Sequence, residues 1–205
     1  FALFAAWQLF VNPVARGAAV FFAFLAFFEC ATGVCWLHGR FGVRSLRNRL
    51  RGESLYLLGL LGVQTAIAYA WWTAGWGKIA SPDFIDGITK TLGFFASANP
   101  VPWYKNFLTG FALNHTAFFA RAVQWGEIAV GVGLFGAALV MAYSGALVRK
   151  AASLSCFVLT VGIIMNANFY FAAGWTGPGT KGDNVIMFWV QMMLLYVGFS
   201  AVFSD

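Results

Sequence analysis

Arg121, Gln124 and Glu127 recur at every third residue inside one apolar stretch, and Lys78 lies near the end of another. A spacing of three places Arg121, Gln124 and Glu127 on one broad helical face. A carboxylate in apolar surroundings is suited to proton exchange, and cations beside it to holding negative charge. Asn166, Asn168 and Tyr170 cluster in a third stretch, and Asn184 and Gln191 sit one heptad apart in a fourth. Lys78 and Glu127 are the candidates for catalysis. Arg121, Gln124, Asn166, Asn168, Tyr170, Asn184 and Gln191 are the candidates for holding a ligand. The competing reading of the same residues is structural. In it, Glu127 is neutralised by Arg121 or Lys78, Lys78 snorkels to the interface, and the amides join helices. Metal chemistry has little to draw on. His38, His115, Cys30, Cys35 and Cys156 are the whole imidazole and thiol complement. With no CxxC pair, neither a metal site nor a haem site is expected.

The apolar stretches must position these groups. Residues 54–80, 116–142, 147–173 and 184–203 are each long enough to cross a bilayer, and a further run, 17–37, precedes them. About 20 residues at helical rise cover a hydrocarbon core of about 30 Å. With 60% hydrophobic and 10% charged residues, the chain reads as an all-α integral membrane protein. The expected architecture is a four-helix bundle, residues 54–205, plus an additional N-terminal transmembrane helix. Residues 1–53 would hold that helix, an apolar leading segment and an Arg-rich loop. The leading residues, 1–11, read as the stub of a signal sequence, an interfacial segment or part of the first helix. Glu29, inside the N-terminal run, is read as a structural group.

Charge sets the orientation. Arg40, Arg44, Arg47, Arg49 and Arg51 fall between the first two runs, and Arg149 and Lys150 fall in a later connection. Both connections are expected in the cytoplasm, the amino end and residues 81–115 outside, and the carboxyl end inside. The net charge of +6 then reads as orientation and contact with anionic membrane lipid, with no nucleic-acid partner. In this frame the candidate residues converge on the outer half of the membrane. Small residues at Gly62, Ala66, Ala70 and Ala74, and at Ala129, Gly133 and Ala137, form ridges that would let helices approach. The expected pocket, with Trp71, Trp72, Trp76, Trp125 and Trp175 nearby, would suit a small anion or a quinone head group.

Residues 81–115 carry their own pattern. Phe84, Ile85, Ile88, Leu92 and Phe95 recur at helical spacing opposite Asp83, Asp86 and Lys90. Asn99 to Pro102 breaks the run, and Trp103, Phe107, Leu108 and Phe111 form a second stripe. Two short amphipathic helices are expected, either anchored on the outer surface or folded over the bundle mouth as a lid.

Five segments together resemble the DoxX/DoxD family: GWGKIASPDF at 75–84, ANPVPWYKNFL at 98–108, WGEIAVGVGL at 125–134, NANFY at 166–170 and GDN at 182–184. The nearest branch is that of the DoxD-like membrane subunits of thiosulfate:quinone oxidoreductase. The resemblance implies a four-helix bundle in a prokaryotic plasma membrane, quinone as the cofactor or electron acceptor, and a small DoxA-like partner subunit. In that branch thiosulfate is oxidised to tetrathionate. The expected function is the membrane subunit of a quinone-linked, quinone-reducing oxidoreductase. The alternative is a non-catalytic accessory or scaffold subunit of a larger respiratory or photosynthetic membrane complex. The extra N-terminal helix and the missing DoxA-like region depart from the family pattern.

Overall fold

A computed structural model describes residues 53–203. The expected N-terminal helix at 17–37, the Arg-rich loop, Glu29, Cys30 and Cys35 lie outside the described residues. The chain divides into compact units at 1–58 and 59–205. Among the described residues every element is helical. Helix α1 spans Glu53–Ala80, α2 Phe84–Ser97 and α3 Pro102–Phe107. A π-helical turn at Leu108–Ala112 and a 3-10 turn at Leu113–His115 carry α3 into α4, Thr116–Tyr143. Helices α5, Val148–Ala173, and α6, Pro178–Phe203, complete the order.

Pro102–Tyr143, Val148–Ala173 and Pro178–Phe199 are long and apolar enough to cross a membrane. Helix α1 runs unbroken for 28 residues. Helix α6 begins six residues before the expected 184, because Pro178 opens its first turn, where a missing N–H costs nothing.

The helices meet along seams with alternating steps of three and four. On α1, Leu61, Gln64, Ala68, Trp71 and Gly75 are buried, and the series leads to Lys78. On α4 it is Ala120, Gln124, Glu127, Gly131, Leu134 and Ala138, and on α5 Ala152, Ser155, Leu159, Gly162 and Asn166. This is the spacing that keeps one face turned toward a neighbour along a long helix. The core fills these seams with Ile67, Trp71, Val130, Leu134, Leu159 and Leu194.

The α1 contact face differs from the expected ridge. A methyl group at Gly62 would have nothing within 4 Å, whereas one at Gly75 would meet Ile128 N at 2.9 Å. One at Gly131 would meet Trp72 N at 2.7 Å. The close approach of α1 and α4 therefore rests on Gly75 and Gly131. Gly133 faces α5 instead, where its methyl would meet Val158 Cγ2 at 2.8 Å. Small size alone marked too many positions, and heptad spacing selects among them.

The segment 81–115 packs as a cap. Ile88, Leu92 and Ala96 of α2 are buried with Tyr104, Leu108, Ala112, Ala120 and Ala172. Two polar ties hold it to α5. Asn99 Nδ2 donates to Phe171 O at 2.9 Å, and the Tyr104 hydroxyl donates to Asn168 O at 3.0 Å. Asn99 Oδ1 also accepts from Val101 N at 3.0 Å, which shapes the break between α2 and α3. In the expected second stripe, Leu108 is buried while Trp103 and Phe111 are exposed. Tyr104 is 2% exposed, an interior group at a position that reads as interfacial in sequence.

Candidate functional site

Glu127 and Lys78 come together from antiparallel α4 and α1. Lys78 Nζ donates to Glu127 Oε1 at 2.8 Å and to Oε2 at 2.7 Å. Glu127 is 2% exposed and Lys78 27%, so the carboxylate is sealed in while the lysine side chain keeps partial contact with the surface. The ends of both helices are held in register around the pair. Gln124, one turn from Glu127, donates through Nε2 to Lys78 O at 2.9 Å, and Lys78 Nζ also reaches Ala74 O at 3.3 Å. Arg121 is separated from this group: it is exposed, although its three-residue spacing places it on the same broad face. A three-residue step turns the helix by 300°, so two such steps carry Arg121 about 120° from Glu127 and out of the seam.

Asn166 and Asn184 join α5 to α6. Asn166 Nδ2 donates to Asn184 O at 2.6 Å, and Asn184 Nδ2 donates to Thr180 O at 2.8 Å. Asn166 lies at the level of the ion pair, because a methyl group at Gly126 would stand 2.9 Å from Met165 Cε. A groove of about 290 Å³ opens between α5 and α6, lined by Asn166, Tyr170, Phe171, Asn184, Phe188 and Trp189 among others. Asn168 faces the cap rather than the groove. Its backbone oxygen accepts from Tyr104, and its Nδ2 donates to Ile164 O at 2.8 Å. Gln191 is fully buried, with Nε2 donating to Met187 O at 3.0 Å.

The tryptophans do not gather as expected. Trp71 is buried, but Trp72 and Trp76 stack on each other at 5.8 Å on the exposed side, and Trp125 is exposed as well. Trp175, in the connection between α5 and α6, packs against the cap instead, donating to Ala172 O at 2.8 Å and meeting Phe94 at 5.6 Å. A second polar layer, outside the expected site, lies deeper. Gln64 Nε2 donates to Leu134 O at 2.8 Å, and Ser155 Oγ donates to Gln64 Oε1 at 3.1 Å. Its signal was present: Gln64, Trp71 and Lys78 are spaced by heptads on α1.

Among the described residues no group of three or more His, Cys, Asp or Glu could hold a metal ion. Cys156 is a buried free thiol. What the arrangement offers is a sealed carboxylate with one cation at its mouth in the seam of α1 and α4 and, at a similar level between α5 and α6, an apolar groove edged by carboxamides and aromatic rings. Compared with family models, curated proteins and solved structures, the chain matches none.

Proposed function

We propose that this chain is the multi-pass membrane subunit of a quinone-linked oxidoreductase in a prokaryotic plasma membrane, with α1 as a further span. Its amino end would lie outside and its carboxyl end in the cytoplasm, following the basic connections. The observation that carries the reading is the groove between α5 and α6, at the level of the Lys78–Glu127 pair. Ligand clefts begin at about 300 Å³, so a groove of about 290 Å³ suits a single substituted ring with its tail in the lipid. Aromatic walls would stack the ring, and Asn166, Asn184 and Tyr170 would orient its oxygens. Glu127 would exchange one of the two protons that two-electron reduction of a quinone to its quinol requires, with Lys78 holding the carboxylate between turnovers. The ordered resemblance to the DoxD-like branch supports the same substrate class and a thiosulfate-type donor with a small partner subunit.

One feature favours the accessory reading. Ile186, Trp189 and Met193 are exposed on α6 at steps of three and four, the spacing of a packing seam. A helix of a larger complex could lie along it, as could lipid.

Gentle extraction from the native membrane, with mass spectrometry of the copurifying subunits and extracted quinones, separates the two. A small partner with bound quinone supports the oxidoreductase. A large complex with no quinone on this subunit supports the scaffold. Within the first reading, Glu127→Gln should lower quinone-linked turnover in folded protein, and unchanged turnover removes Glu127 from the mechanism.

A further inference from the structure

The interior of the bundle holds a hydrogen-bond donor and an acceptor that lack partners. Trp71 Nε1 and Gln191 Oε1 are both buried without a hydrogen bond, on residues 2% and 0% exposed. The Gln191 amide nitrogen is committed to Met187 O along its own helix, which fixes the carboxamide and leaves its oxygen unmatched. Both atoms close on Gly162 of α5. A methyl group there would collide with Gln191 Oε1, stand 3.5 Å from Trp71 Nε1 and stand 3.3 Å from Val130 Cγ1. Helices α1, α4, α5 and α6 thus meet around one small point that only a glycine leaves open.

A buried indole N–H and a buried amide oxygen are each costly to leave unmatched, most of all in a membrane interior without bulk water. Local rotation cannot cure this for Trp71, whose N–H sits on a rigid ring. Thr65 Oγ1 is also unmatched, but a helical threonine can turn its hydroxyl to a carbonyl one turn back. One water molecule bridges heavy atoms up to about 6 Å apart, twice an ordinary hydrogen-bond length. The two atoms fall inside that reach, because one touches the Gly162 methyl position and the other lies 3.5 Å from it. Buried waters in proteins serve such pairs.

We propose that Trp71 and Gln191 together bind a single water molecule over Gly162, tying α1 to α6 across α5 in the interior of the bundle. The water accepts from the indole N–H and donates to the carboxamide oxygen. Val130 Cγ1 borders the site, 3.3 Å from the Gly162 methyl position. Trp71 lies one heptad inward of Lys78, so the water sits about 10 Å deeper than the ion pair and between it and the Gln64–Ser155 layer. The site stands on packing and hydrogen bonding alone and does not depend on the quinone reading.

The test uses the whole chain in lipid nanodiscs with nitrogen-labelled tryptophan indoles. The Trp71 signal is identified by its loss in Trp71→Phe. The expected result is a cross-peak from the Trp71 indole proton to a long-lived water. Gly162→Ala and Gln191→Leu should each abolish it while the other indole signals hold their positions. An indole proton coupled to the Gln191 side chain with no water overturns the proposal, as does a water signal that survives both substitutions. If the variants fail to fold, a wild-type density map that resolves waters decides. A peak within hydrogen-bonding distance of both atoms supports the site, and its absence overturns it.

Discussion

Lys78 meets Glu127 with one ammonium nitrogen at 2.8 and 2.7 Å from the two carboxylate oxygens, and the two partners are buried unequally. This asymmetry decides what each substitution does. Lys78→Met strands a sealed carboxylate, whereas Glu127→Gln leaves an ammonium that can turn outward. Breaking a fully buried pair costs about 3–5 kcal/mol. Because Lys78 is part exposed, about 2–3 kcal/mol is expected for Lys78→Met and less for Glu127→Gln. The double variant Lys78→Met with Glu127→Gln should recover more than half of the loss. Denaturation in a fixed detergent, run as a double-mutant cycle, measures this; additive losses would mean the pair is not coupled.

The glycines of α1 and α4 should split by contact face. Gly131→Ala drives a methyl group into the Trp72 backbone and is expected to destabilise by about 1–3 kcal/mol, as overpacking does. Gly62→Ala meets open space and should be neutral or stabilising by up to about 1 kcal/mol through helix propensity. Equal effects at the two positions would contradict a seam through Gly75 and Gly131.

How much of this was legible follows from periodicity. Uninterrupted apolar runs announced the long helices, because length and hydropathy are local properties. The meeting of Lys78 with Glu127 was among the readings of the sequence, but Arg121 competed for the same carboxylate. Only the rotation of α4 about its axis separates them, and that is set by contacts with α1. Tyr104 shows the same limit. A tyrosine beside Trp103 reads as interfacial, yet the fold of α3 against α5 turns its hydroxyl inward to Asn168. Gln64 carries no charge signal as an isolated glutamine in an apolar run, and only its heptad relation to Trp71 and Lys78 marks it.

The cap should loosen when its polar ties are cut. Tyr104→Phe keeps the ring packed against Phe107 and Phe171 and removes the hydroxyl's bonds to Asn168, to its backbone O at 3.0 Å and its Oδ1 at 3.4 Å. A loss of about 0.5–1.5 kcal/mol is expected. Hydrogen exchange should rise across 84–112 and stay unchanged in the middle of α5. Exchange that rises evenly over the whole bundle would place the tyrosine in the global core instead.

Orientation has a direct check at the connection between α4 and α5. Ser144 lies at that turn, near Arg149 and Lys150. In the Ser144→Cys variant, with the native cysteines replaced, the thiol should react with an impermeant maleimide only after spheroplasts are opened. Labelling in intact spheroplasts would invert the topology and move the ion pair to the cytoplasmic half.

The groove between α5 and α6 gives the sharpest separation of ligand binding from stability. Val185 lines it and is exposed on α6, so a larger apolar side chain can occupy the groove without entering the packed position of the fully buried Gln191. Val185→Trp adds roughly the volume of an aromatic ring, the part of a quinone proposed to bind there. Native-membrane preparations of this variant should carry at least 10-fold less copurified quinone, a loss of about 1.4 kcal/mol or more in binding. Unfolding should shift by less than about 1 kcal/mol, as for a substitution outside the packed core. Quinone content equal to wild type, in folded protein, would move the quinone out of this groove. A fall in both quinone and stability would leave binding and folding entangled, so Val185→Leu, which adds little volume, serves as the control and should retain both.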